Sequence, residues 1–423
     1  MIIINPLAGF TRAMRHRDYR LYTIGSVTSL VGTWVQRVAL GWLTWEITHS
    51  YAWLGIIAFA DLFAMMIFAP LAGDLSDRMD RLKLSIWAQV AMLIQAISMF
   101  VVYYSGYATI WVVLGLTIML GIMHSYHSSA RLALVPNMVP HEDLVPAIAI
   151  NSIIFNIGRF IGPAAAGLVI VNLGVGPAFM INALTFVVFL YALLRVRIVR
   201  IEHQNSSGGS VLSNIAEGVR YSMRHAGIGP VLIVLFMSAL TGRAIPDLLP
   251  GFADGVFKRG AEGLAWLATA MGLGATISGF FLLTRDGIKG MTNVVYANVA
   301  LLTVSAFAFA TSGSFWAGIP LMALIGFSMN NSSVAALNLM QNAVDGAIRG
   351  RVMSIYTVII QGAPALGTLL IGAVAEATGL PWPVAIAAIM GLVLWAMMLP
   401  RKEIVRSSLE IAPPNPSHDR APT

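Results

Sequence analysis

The sequence predicts an all-α membrane protein with twelve transmembrane helices in two six-helix, pseudo-symmetric halves. Three observations carry this. First, 57% of the 423 residues are hydrophobic and 11% charged, with a mean hydropathy of +0.78, whereas soluble domains carry roughly 25% charged residues. Second, a span and its connection take roughly 35 residues when the span itself needs about 20, so the length divides into about twelve. Third, NMVPHEDL (137–144) followed by GPAAAG (162–167) is echoed by NAVDGAIR (342–349) followed by GAPALG (362–367), the mark of a parallel internal repeat.

Apolar stretches interrupted by charge or turn residues place spans at 20–46, 53–72, 84–104, 108–130, 146–171 and 175–195. Six more follow at 229–250, 262–284, 291–311, 315–341, 352–375 and 382–399. Connections alternate in charge: YYSGYAT (103–109), VNLGVGP (171–177) and TSGSF (311–315) have none, and those between them are basic. Of the 26 Lys and Arg, only Lys258 and Arg259 fall opposite the N-terminus, and Arg37, Arg159 and Arg243 lie within spans. The rest fall on the N-terminal side, which places both termini in the cytoplasm and makes the span count even. The net charge of +7 is accounted for by anionic inner-leaflet lipid, with no nucleic-acid partner.

The start, MIIINPLAGF, lacks a charged n-region and a cleavage site, so the first span is expected to be retained as an uncleaved anchor. Cys is absent, which removes disulfides, thiolate chemistry and Cys-linked lipid anchors. The chain divides into an N-terminal half (1–196), a linker (197–228), a C-terminal half (229–399) and a Pro-rich tail (400–423) expected to be disordered. Within the linker, EHQNSSGGS precedes VLSNIAEGVRYSMRH, whose pattern predicts an amphipathic helix on the inner membrane surface.

Ionisable residues inside spans are functional candidates because burying them is costly unless they are paired or hydrated. At 1.5 Å per residue from the cytoplasmic end of each helix, Asp61 lies about 18 Å deep, Arg159 about 20 Å, Arg243 about 21 Å and Arg37 about 25 Å. Asp61 is the carboxylate in the middle of a first-half span. It is either a proton site or one member of a permanent ion pair with Arg37 or Arg159. Asp247, four residues after Arg243, is expected to pair with it along one helix. His124 and His127 share a helix face at i, i+3, a spacing for proton relay or for contact with an anionic substrate; no third ligand accompanies them, so no metal is expected. Gln36, Arg37, Arg159, Arg243, Asn330 and Asn331 are candidates for the substrate cavity, with interhelical hydrogen bonding as the alternative for the amides.

The loop GDLSDRMDRLKL (73–84) resembles the signature loop of the major facilitator superfamily, with Asp80 where the pattern has its second glycine. The resemblance implies that Gly73, Asp77, Arg78 and Arg81 form a latch between the halves when the cavity opens outward. A charge at a helix end that meets the other half in only one rocking state has this effect. Together with DYRLYTIGSVTSLVGTWVQRVALGWLTWEIT (18–48), ARLALVPNMVPHEDLVPAIAINS (130–152) and RGRVMSIYT (349–357), it is similar to a bacterial branch of that superfamily containing the enterobactin exporter and related efflux proteins. GRFIGPAAAG (158–167) also resembles the fifth-helix motif of proton-coupled antiporters through Gly158, Gly162, Pro163 and Gly167. Small residues there let helices approach closely, and the proline loosens the helix.

The resemblance implies a secondary transporter that exports small amphiphilic, drug-like or siderophore-like molecules by alternating access, exchanging them for protons. An importer, a lipid-handling transporter and a non-transporting sensor are the alternatives. GxSxG, HExxH, P-loop and dinucleotide fingerprints are missing from the sequence, so neither an enzyme nor a cofactor is expected. The expected partners are a small-molecule substrate, protons and membrane lipids, and the expected state is a monomer.

Overall fold

Helix boundaries follow the polar punctuation of the sequence. Ser50 caps the third helix by accepting from Trp53 N at 3.3 Å, and Asp80 caps the fourth by accepting from Leu82 N at 2.9 Å and Lys83 N at 3.2 Å. Asp80 has φ −61°, so the turn needs no glycine there and gains an N-cap instead. The computed structural model describes residues 6–197, 211–285, 287–344 and 346–410.

The N-terminal helices are α1 (Pro6–Arg15), α2 (Arg17–Thr48), α3 (Tyr51–Arg78), α4 (Arg81–Tyr104), α5 (Ile110–Leu134), α6 (Leu144–Leu173) and α7 (Val175–Arg195). After the linker come α8 (Val211–Arg224), α9 (Ile228–Leu240), α10 (Ile245–Pro250), α11 (Gly260–Leu283), α12 (Met291–Thr311) and α13 (Phe315–Ala343). The chain ends in α14 (Gly346–Thr357), α15 (Ala363–Thr378), α16 (Pro381–Met398) and α17 (Lys402–Leu409). Among the described residues there is no strand. Among the described residues eight helices are long and apolar enough to cross a membrane, or nine if the end of α8 (Glu217–Arg224) and α9, bent by 106°, are one span. The remaining expected spans, 20–46, 146–171 and 315–341, lie in α2, α6 and α13, which are helical throughout but outside that count.

The chain forms two compact units. One comprises Met1–Ser207, Pro246–Gly272 and Thr368–Leu380, so two stretches of the second sequence half pack with the first six expected spans. Within it, α2 packs on α6 and α7, α3 on α5, and α4 on α5 and α7. Gly158 and Gly162, one turn apart on α6, face Leu30 and Trp34, one turn apart on α2, and a Cβ on Gly158 would come within 2.6 Å of Leu30. The fifth-helix motif is thus a packing stripe at close backbone approach, and Gly167 meets Ala265 of α11 in the same way.

The other unit comprises Gly208–Ile245, Leu273–Gly367 and Pro381–Thr423, with α12 packed on α13 and α16. The amphipathic helix of the linker is α8, and it lies against α14, where Glu217 meets Arg351 at 2.6 Å and Gly218 adjoins Arg351 and Ile355. His225 closes α8, and its Nδ1 accepts from the backbone N–H of Gly227 at 3.2 Å and Ile228 at 3.3 Å. Burial holds the imidazole below its usual pKa, which keeps Nδ1 an acceptor.

One expectation is corrected here. The tail expected to be disordered over 400–423 is ordered in its first part: Val405 and Leu409, one turn apart on α17, are fully buried. Glu410 accepts from Gly290 N and Thr292 N, both at 2.8 Å, at the start of α12. An i, i+4 apolar pair and a carboxylate on a helix N-terminus suffice to anchor so short a helix. Residues 411–423 lie outside the described residues.

Candidate functional site

Four ionisable side chains converge in the first unit. Arg37 comes from α2, Asp61 from α3, His124 from α5 and Asp247 from α10. Asp247 takes part because the helix expected over 229–250 breaks at Thr241, with φ −102° and ψ −86°, and restarts at Ile245. Arg243 and Asp247 are consequently not on one continuous helical face, and the intrahelical pair expected from their spacing gives way to another. Arg37 donates to Asp247 Oδ1 at 3.3 Å, and its guanidinium lies 5.5 Å from the ring centre of Trp34.

Asp61 Oδ1 lies 3.9 Å from His124 Nδ1, beyond direct hydrogen bonding, and it has no hydrogen-bond partner among the described residues. A separation of this kind suits a bridging water. Arg37 is within electrostatic range of Asp61 and of His124. The charged groups line a cavity of about 90 Å³ with Trp34, Thr44, Pro163 and Pro250. That volume holds a few waters, against roughly 300–1,000 Å³ for pockets that take drug-sized ligands. Among the described residues the cavity lining carries two carboxylates and one guanidinium, one formal negative charge in excess.

The other candidates are placed differently. Gln36, next to Arg37 in sequence, is 2% exposed; it donates to Gln95 Oε1 at 2.8 Å and accepts from Asn182 Nδ2 at 2.6 Å. It ties α2 to α4 and α7 and is absent from the cavity lining. Gln36→Leu is therefore expected to destabilise the purified protein by about 1–3 kcal/mol, because Gln95 and Asn182 lose their partners, and to leave substrate affinity unchanged. A changed affinity with an unchanged melting temperature would return Gln36 to the cavity. His127 turns from Asp61 to pack edge-on against Phe189, with ring centres 5.7 Å apart. The side chain of Arg159 lies outside the described residues, one turn before the cavity-lining Pro163.

Arg243, Asn330 and Asn331 belong to the second unit. Arg243, 2% exposed, donates to Ser333 Oγ and Ser332 Oγ, both at 2.7 Å, and to the Met329 carbonyl at 3.0 Å. Asn331 accepts from Ser278 Oγ at 2.8 Å and donates to Asn298 Oδ1 at 3.3 Å, and Asn330 donates to Ser278 Oγ at 3.0 Å. These amides bond across α11, α12 and α13, the alternative weighed for them above. In the 73–84 loop, Arg78 pairs with Asp74 at 2.9 Å on the surface, Gly73 borders open space and Arg81 opens α4. The side chain of Asp77 lies outside the described residues.

Comparison with known proteins follows from this architecture. The sequence profile of the family described as transmembrane secretion effector matches residues 8–420. The chain belongs to that family. It is a multi-pass transporter of the major facilitator superfamily. Among the relatives of this effector, the staphyloferrin A transporter of Staphylococcus aureus is 26% identical over 357 residues, covering 83% of this chain and 87% of its own. The enterobactin exporter of Escherichia coli is 24% identical over 371 residues, covering 84% and 85%. In three dimensions the effector resembles a bacterial homologue of the human lysosomal transporter Spinster, with TM-score 0.68 at 13% identity over 94% of this chain and 99% of that one.

Proposed function

We propose that this effector exports small amphiphilic, drug-like or siderophore-like molecules across the bacterial inner membrane in exchange for protons, with both termini cytoplasmic and the halves 1–196 and 229–399 rocking about a central cavity. The observation that carries the antiport reading is the cavity's charge: among the described residues two carboxylates share one guanidinium, and Asp61 Oδ1, without a hydrogen-bond partner among them, faces His124. In a low-dielectric cavity an excess charge is relieved by taking up a proton. Because Arg37 is committed to Asp247, the proton goes to the Asp61–His124 pair. His124, 3.9 Å from Asp61, is the relay. Relatives named as a siderophore exporter and transporter support the substrate class.

The cavity as observed is sized for water and ions, so substrate enters in another state of the cycle. The 73–84 loop, through Asp77, Arg78 and Arg81, stabilises the outward-facing state, and the Gly158, Gly162, Pro163 and Gly167 stripe carries the moving helix. The test is proton flux in proteoliposomes loaded with a pH-sensitive dye, with a pH gradient imposed and a panel of siderophores, cationic dyes and drugs added. Substrate-dependent flux is the expected result. Transport that proceeds at the same rate without the gradient would overturn antiport.

A further inference from the structure

Beside the cavity, at the α2–α3 connection, lie contacts that no sequence motif announces. Trp45, the last tryptophan of α2, is 4% exposed and donates its indole N–H to Asp254 Oδ2 at 2.9 Å. Its ring lies 5.1 Å from that of Tyr51, the first residue of α3. The two rings sit against Gly251 and Gly255 of a π-helical turn, Gly251–Val256: a Cβ on Gly255 would come within 2.6 Å of the Tyr51 hydroxyl and 3.0 Å of Trp45. π-helical turns are frequently found at functional sites.

A second clasp lies beside the first. Glu376 of α15 accepts from Ser50 Oγ at 2.9 Å and from Ala52 N at 3.2 Å, which puts a carboxylate on the N-terminus of α3. Gly55 adjoins the backbone of Thr368 and Leu369, and Gly372 adjoins that of Tyr51. Both clasps join first-half helices to the two second-half stretches in this unit, Pro246–Gly272 and Thr368–Leu380. Thr44 and Leu54, which line the cavity, are within one turn of Trp45 and Tyr51.

We propose that the Trp45–Tyr51 pair, held by Asp254 and Glu376, is the gate that closes this face of the transporter, and that Asp254 and Glu376 are positioning residues which set how often it opens. Alternating access requires each face to open in turn, and on this face opening breaks the hydrogen bonds from Trp45, Ser50 and Ala52. The two carboxylates act as the 73–84 loop is proposed to act on the other face, each by meeting a partner that is present in only one state. The inference rests on the transporter reading and is independent of Asp61.

The chain contains no Cys, so a single reporter thiol suffices and the full-length protein is used as it stands. With Ala58→Cys placed in the cavity lining, a membrane-impermeant maleimide is applied to right-side-out and to inside-out vesicles, without substrate or proton gradient. Adding Asp254→Asn and Glu376→Gln is expected to raise the labelling rate about tenfold from the face carrying the α2–α3 connection, the order expected for a lost charge-assisted hydrogen bond, and to lower it from the other face. Trp45→Phe keeps an aromatic ring while removing the indole donor and should move labelling in the same direction; it decides the matter if the double variant fails to fold. Unchanged labelling would overturn the gate, and so would an equal rise from both faces, which marks general loosening. Failure of antiport in proteoliposomes would leave this result untouched.

Discussion

Asp61→Asn is expected to abolish transport driven by a pH gradient and to make any residual substrate exchange independent of that gradient. The reason is the cavity's charge. Asp61 supplies the negative charge that Arg37 leaves uncompensated, since Arg37 donates to Asp247 at 3.3 Å. At a separation near 4 Å and an effective dielectric of 20, an Asp–His⁺ pair is worth about 4 kcal/mol before desolvation, so removing the carboxylate removes most of the site's affinity for a proton. Asn has the shape of the protonated acid without the capacity to release a proton, so the variant is held in one coupling state. Measured as substrate-dependent acidification in proteoliposomes, the flux should fall at least about a hundredfold, the scale of a 3 kcal/mol loss. Gradient-driven transport persisting in Asp61→Asn would sink the assignment and leave Asp61 a structural charge. His124→Gln separates the two members of the pair: it should slow proton flux while leaving its dependence on the gradient.

Gly121→Ala is the second large effect, and it acts through the backbone. Gly121 of α5 faces α3 so closely that an added Cβ would overlap the Asp61 carbonyl oxygen and come within 3.0 Å of Ala64 Cβ. The obstacle is main chain, which cannot rotate aside, so α3 and α5 must part. Overpacking of this kind costs about 1–3 kcal/mol, and here it also displaces Asp61, the residue proposed to carry the proton. The expected result is a lower melting temperature together with impaired proton coupling. Gly115→Ala is the internal control, because the same helix has nothing within 4 Å of a Cβ at that position. Equal melting temperatures for the two variants would show that the close approach of α3 and α5 does not govern stability.

The extent to which the site was legible varies residue by residue. Asp61 was legible because a carboxylate in an apolar span is costly wherever its neighbours lie. Close helix packing at Gly158 and Gly162 was legible as a small-residue stripe, although its partners Leu30 and Trp34 on α2 were not. Gln36 and Arg37 are adjacent in the chain, and composition marks both as cavity candidates. A helix turns about 100° per residue, and this sends Arg37 to the cavity and Gln36 to a buried network with Gln95 and Asn182. Asp247 was read as the partner of Arg243 on the assumption of an unbroken helix; the break at Thr241 redirects it to Arg37. The ordered segment 402–409 was hidden by the Pro-rich composition that follows it, and only the burial of Val405 and Leu409 reveals it.

The sequence by itself determined the class of protein, its helical and membrane-spanning character and the family whose loop it carries. Each of these depends on transfer free energy and backbone hydrogen bonding, which are properties of a residue and its near neighbours in the chain. Only the tertiary structure decided which ionisable groups share a cavity, that Asp247 meets Arg37, and that Asp254 and Glu376 meet Trp45, Ser50 and Ala52. Those pairings join residues about 200 to 330 positions apart. They depend on how helices are rotated and where they break, and that is settled by packing against partners distant in the chain.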